Sequence, residues 1–132
     1  MTERRARYTA HPKQRSRAVT IYGVDFASQA ESRRYLFLLS EQQAGRISDL
    51  EPHPKFILQP SCKRDGATVQ AITYTADFAY TRDGVRVVED VKAWMHNKRT
   101  GKRVPLVHED CALKVKMLRY QHPEIIFMFT EA

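Results

Sequence analysis

The dipeptide Asp83-Gly84 constrains this chain more than any other feature. It is a strong signal for a two-residue type I′ turn, which needs positive φ at both central positions. It stands between two runs rich in β-branched and aromatic residues, Thr68 to Arg82 and Val85 to Trp94. The two runs are therefore expected to fold back as a hairpin in which Arg82 faces Val85. Counting away from the turn, Asp77 falls opposite Asp90. Side chains alternate along a strand, so Lys92 shares the face of Asp90 and stands diagonal to Asp77.

The flanking segments suggest the rest of the fold. Ser28 to Ala44 reads as a helix: Ser28 is a good N-cap, Glu31 completes a capping-box pattern, and Gly45 is a natural stop. Tyr35, Leu38, Leu39 and Gln42 share one face, with Leu36 and Phe37 broadening it. Ile47 and Leu50 are expected to pack near the helix end. Glu51-Pro-His-Pro54 starts an extended run. Phe56 to Cys62 reads as a first strand, with Pro60 pointing to an edge or a bulge. Asp65-Gly66 then turns the chain into the Thr68 run, so 56–94 is expected to be a three-stranded antiparallel meander. His108 to Gln121 reads as a second helix with Cys111, Val115 and Leu118 in one stripe and Met117 beside it, ended by His122-Pro123. The wholly apolar run Ile125 to Phe129 predicts a strand buried on both faces. A helix before a final strand implies a crossover, hence an α/β protein with a mixed sheet in the order α-β-β-β-α-β.

Two carboxylates opposed on one sheet face repel, and burial makes the repulsion worse. A divalent cation resolves the conflict. Mg²⁺ accepts one or two carboxylates and keeps its other positions for water and substrate phosphate. A lysine two residues from such a ligand can orient water and steady charge on phosphate, which points to metal-assisted phosphodiester hydrolysis. The alternative is that Asp77 and Asp90 lie at strand ends in water and Lys92 only pairs with them. A one-residue slip would also separate them. His53, His96 and His108 have no paired ligand spacing and are expected at the surface or in packing. Trp94 is expected to pack in the core or at the strand end rather than to stack on a base.

The formal charge of +7 points to a polyanionic partner, nucleic acid above all. Most of the excess sits in residues 1–20, where Arg4, Arg5, Arg7, Lys13, Arg15 and Arg17 face the single acid Glu3. This stretch reads as a flexible basic arm, with a single domain over 21–132. The arm would bind phosphate with salt-sensitive affinity, or else only keep the chain soluble. Lys98, Arg99, Lys102 and Arg103 form a second basic stretch around the turn signal Thr100-Gly101, as a phosphate-binding or merely solvated loop. No apolar run is long enough to span a bilayer and no signal pattern opens the chain, so secretion and membrane insertion are disfavoured. Cys62 and Cys111 suit free thiols in a reducing cytoplasm and offer no zinc cluster.

Asp77 followed by a turn and Asp90-Val91-Lys92 resembles the core of the PD-(D/E)XK nuclease superfamily. The segments Ile72–Phe78 and Val88–Lys92 are similar to a family of small phage and prophage proteins of uncertain function placed in that superfamily, and the similarity runs from about Tyr22 to Phe129. The resemblance implies a restriction-endonuclease-like α-β-β-β-α-β core. It implies Asp77 and Asp90 as catalytic metal ligands, the Val91 carbonyl as a further ligand, and Lys92 as the motif lysine. Glu31 matches a first-helix glutamate that many members use. Lys116 and Tyr120 are similar to a second-helix Q-x-x-x-Y element, with lysine where glutamine is usual. Ala76 stands where the name-giving proline would be. Glu89, beside Asp90, is expected to face the other side of the sheet.

The function this implies is Mg²⁺-dependent DNA endonuclease, with Mn²⁺ as a substitute, in a bacterial host's cytoplasm. Lys114 and Lys116 join the arm and the 98–103 loop as expected DNA contacts. Small basic members of the superfamily include Holliday-junction resolvases, which act as dimers on branched DNA. The alternatives are a nicking endonuclease on duplex and a DNA-binding accessory protein that keeps the fold without cutting.

Overall fold

The computed structural model describes residues 18–131. The basic-arm residues Arg4, Arg5, Arg7, Lys13, Arg15 and Arg17 lie outside them. In chain order the elements are β1 (Val19–Ile21), β2 (Val24–Phe26), α1 (Gln29–Gln43), β3 (Ser48–Pro52), β4 (Lys55–Gln59), β5 (Cys62–Arg64), β6 (Ala67–Val69), β7 (Ile72–Thr75), β8 (Phe78–Arg82), β9 (Val85–Lys92), β10 (Trp94–His96), β11 (Arg103–Pro105), α2 (Glu109–Gln121) and β12 (Ile126–Glu131). Val19 and Thr20, counted with the arm in the sequence, are paired in the β1–β2 hairpin.

A central four-stranded sheet runs β12-β9-β8-β3. β8 and β9 are antiparallel in the register the turn demands, from Arg82 opposite Val85 to Phe78 opposite Glu89. β12 returns through α2 and lies parallel to β9, so the sheet is mixed. Taken with the helices, the central elements follow the order α1-β3-β8-β9-α2-β12. The fold is thus mixed α/β, as expected.

Ser28 caps α1 by accepting from the Glu31 N–H at 3.1 Å. At the other end the Gly45 N–H reaches the Gln42 carbonyl and the Arg46 N–H the Glu41 carbonyl, each at 3.0 Å. This is a Schellman closure, with Gly45 at φ +78°. Tyr35 and Leu38 of α1 pack with Phe26, Ile47, Phe78, Tyr80, Val87 and Val91 on one face of the sheet. Leu36 and Phe37 do not widen this face. Both are nearly half exposed, and the Arg34 guanidinium lies over the Phe37 ring. On the other face Val115 and Leu118 of α2 pack with Leu58, Tyr74, Ala76, Ala79 and Val88. Burying side chains such as Phe78, Val88 and Leu118 stabilises the fold by ~1.5–3 kcal/mol each.

Three expectations change. The third central strand is β3, whereas the expected Phe56 to Cys62 strand appears as β4, which stops before Pro60 and pairs with β7 outside the central sheet. The expected Thr68 to Arg82 strand is three pieces, β6, β7 and β8. The second break follows from prolines on the facing chain: Pro52 and Pro54 have no N–H, so His53 alone can donate at that crossing. β12 is an edge strand with Ile126 and Met128 exposed, so it is not buried on both faces. Among the described residues no helix is long and apolar enough to cross a membrane.

Candidate metal centre

The site forms where an antiparallel ribbon bends. The register that pairs Glu51 with Ala79 and Pro52 with Phe78 in the sheet continues as Lys55 with Thr75 and Phe56 with Tyr74 beyond it. The bend falls between, and it is held by the His53 N–H donating to the Asp77 carbonyl at 2.8 Å and the Ala76 N–H donating to the Pro54 carbonyl at 3.0 Å. His53 therefore stands directly across from Asp77. The β8–β9 register, carried one residue past Phe78, brings Asp77 beside Asp90 on its other side.

α1 supplies the remaining acid. Glu31 lies in its first turn, and one ligand atom each from Glu31, His53 and Asp77 lie within 4.8 Å of one another. All three are half-buried and lead from solvent toward Asp90, which is 5% exposed. Asp90 Oδ2 accepts from the Tyr74 hydroxyl at 2.6 Å, and Lys92 Nζ approaches the same oxygen to 3.6 Å. The Cys111 thiol of α2 lies 4.0 Å from it. Asp77 Oδ2 accepts from the Val91 N–H at 2.6 Å. The Val91 side chain packs in the core on the α1 side of the sheet.

Burial pushes the Asp77 carboxyl up to about 9, and the hydrogen bond and charge of Asp90 push the same way, against the Val91 N–H. Asp77 thus keeps its proton in the metal-free protein. Burial also raises the Tyr74 phenol far above its ordinary value, with Asp90 adding to the shift, so Tyr74 is a permanent donor. Burial raises the Cys111 thiol as well, partly countered by Lys92. The carboxylates and the imidazole in this arrangement form a donor set able to hold a divalent ion, with the Lys92 ammonium at its border.

Glu89 points to the opposite face. It is fully buried, takes both forks of Arg34 at 2.6 and 2.9 Å, and accepts from the Tyr80 hydroxyl at 2.8 Å. The other expected contacts are more dispersed. Lys98, Arg99 and Lys102 are exposed on the β10–β11 hairpin, whose turn Asn97 Oδ1 braces by accepting from the Arg99 and Thr100 N–H groups. Arg103 in β11 is ion-paired with Glu131 of β12. Lys114 is half-buried and acts on the Cys111 thiol, whereas Lys116 is exposed and Tyr120 is 88% exposed, both on the side of α2 away from Val115 and Leu118. Sequence reasoning missed His53. The signal was its place between two prolines, which marks a bend, but its partner across the ribbon was not legible without β3.

No match is found among curated proteins or solved structures. A family model does match, over residues 11–130, a span that contains every residue of the cluster. The chain belongs to the family described as "Protein of unknown function (DUF1064)".

Proposed function

We propose that this protein is a divalent-metal-dependent DNA endonuclease with a site of the PD-(D/E)XK kind. The observation that carries this reading is the meeting of Asp77, at the bend before β8, and Asp90 of β9, with Lys92 Nζ 3.6 Å from Asp90 Oδ2. A protein that only bound DNA would gain nothing from two carboxylates that repel phosphate. The element order α1-β3-β8-β9-α2-β12 supports a restriction-endonuclease-like core.

Asp77 and Asp90 hold the ion, with Glu31 and the Val91 carbonyl as further oxygen ligands. Both Mg²⁺ and Mn²⁺ suit the carboxylates. When bound, the ion polarises the phosphoryl group and favours deprotonation of water. Lys92 orients the attacking water and offsets the charge that builds on the phosphate. Tyr74 keeps Asp90 in place by its hydrogen bond, and the Val91 N–H does the same for Asp77. Lys98, Arg99 and Lys102, with Lys114, Lys116 and the basic arm, contact backbone phosphates, which gives affinity with little sequence reading. The substrate is branched DNA, cut by a homodimer in the manner of a Holliday-junction resolvase, during phage recombination or packaging in a bacterial cytoplasm. A formal charge of +7 supports a nucleic-acid partner.

The test is cleavage of a labelled four-way junction, a flap and linear duplex with Mg²⁺, Mn²⁺ or EDTA. Wild type is expected to cut the junction with metal only, and Lys92→Ala and Asp90→Asn are expected to bind without cutting. Equal cleavage by Asp90→Asn would overturn the site, and preference for linear duplex would overturn the branched substrate. Binding without cutting on every substrate would make the protein a DNA-binding accessory.

A further inference from the structure

The cluster at the ribbon bend is not an all-oxygen site. Glu31 and Asp77 each offer a carboxylate oxygen and His53 an imidazole nitrogen, all within 4.8 Å of one another. We propose that this triad takes a first-row divalent transition ion, with Mn²⁺ as the probe, in preference to Mg²⁺, and that His53 sets the choice. The inference rests on the metal-dependent reading above and concerns which ion that site prefers.

Mg²⁺ is a hard ion that demands oxygen ligands and keeps much of its water. An imidazole nitrogen suits first-row transition ions better, and their affinities for mixed nitrogen and oxygen sites rise above that of Mg²⁺. His53 is held in place for such a role. It stands across the ribbon from Asp77, its N–H bonded to the Asp77 carbonyl at 2.8 Å. Its φ of 54° lies in the left-handed region, an uncommon place for a residue that is not glycine. Its ring packs against the buried Phe26 ring, with centroids 5.3 Å apart, which limits its rotation. Prolines on both sides stiffen the backbone that carries it. A histidine serving only to fill space beside Phe26 would have no need to reach two carboxylates.

The test uses the full chain and two metals. Mn²⁺ binding is read by loss of the free-ion paramagnetic resonance signal, Mg²⁺ binding by competition, and nitrogen ligation by pulsed resonance of bound Mn²⁺. Wild type is expected to bind Mn²⁺ tighter than Mg²⁺ by about ten-fold or more and to show nitrogen coupling. In His53→Asp, an all-oxygen set at a position whose φ aspartate tolerates, the coupling is expected to vanish and the preference to shrink toward parity. Absence of nitrogen coupling in wild type, or an unchanged preference in His53→Asp, would overturn the inference and leave the nuclease reading standing. Failure of wild type to bind either ion would overturn both. Should His53→Asp not fold, as judged by its melt, the nitrogen coupling of wild type decides alone.

Discussion

Asp77 is flanked by His53 on one side and Asp90 on the other, and its carboxyl, pushed up to about 9, keeps a proton that an ordinary aspartic acid loses near pH ~4. Between those values the folded protein binds this proton and the unfolded chain does not. The contribution to stability is therefore complete below about pH 4 and is lost as pH rises through about 9, so the metal-free protein is expected to melt lower across that window. A divalent ion bound at the proposed site would replace the proton. Calorimetric titration near pH ~7 in buffers of different ionisation enthalpy is expected to report about one proton released per ion bound; none released would mean that Asp77 does not hold one. Tyr74→Phe removes the 2.6 Å donor to Asp90. Ion affinity is expected to fall by roughly 10–100-fold in the same titration. Lys92 and Asp90 were legible at this scale because each is fixed by counting from one turn.

At the scale of elements, α1 is fastened to β9 by a buried charge pair. Arg34 lies one turn along from Glu31, and its fork closes on Glu89, which neighbours Asp90. The clamp thus sets how near the helix carboxylate comes to the strand carboxylate. Removing the cation with Arg34→Met strands a fully buried carboxylate and is expected to cost ~3–5 kcal/mol. Tyr80→Phe removes one neutral donor to the same carboxylate and is expected to cost about 1–2 kcal/mol. Thermal melts of the two variants compare them directly, and equal losses would show that the ion pair is not the fastening. The ends of α1 were readable because caps are local chemistry: a serine oxygen, a glycine at positive φ. The strands were read less well. Alternation of residue types marks extended chain but says nothing of which neighbour it joins, so the sequence points to β4 where β3 stands and to a straight meander where one ribbon bends.

Over the whole molecule, solvent-facing charge is unevenly committed. Lys98, Arg99 and Lys102 point outward from the β10–β11 hairpin, while Arg103 is tied to Glu131 at the sheet edge. If the hairpin grips DNA, replacing Lys98, Arg99 and Lys102 with alanine is expected to lower the slope of log affinity against log salt by up to roughly 3. Arg103→Ala is expected to change it by much less. Binding to a labelled duplex at a series of salt concentrations distinguishes the two variants, and an unchanged slope in the triple variant would remove the hairpin from the DNA interface.

What the sequence by itself determined is what neighbours along the chain control. The Asp83-Gly84 turn set a register that placed Asp77 beside Asp90 and Lys92 on the same face, and Ser28 and Gly45 bounded the helix that carries Glu31. Only the tertiary structure decided that β3 lies on the far edge of β8, and with it that His53 faces Asp77. It likewise decided that Glu89 is neutralised by Arg34 and that Arg103 is spent on Glu131. The reason is physical. A turn or a cap is stabilised by atoms a few residues apart, whereas a pairing between distant strands is chosen by the burial of the whole core, to which every element contributes at once.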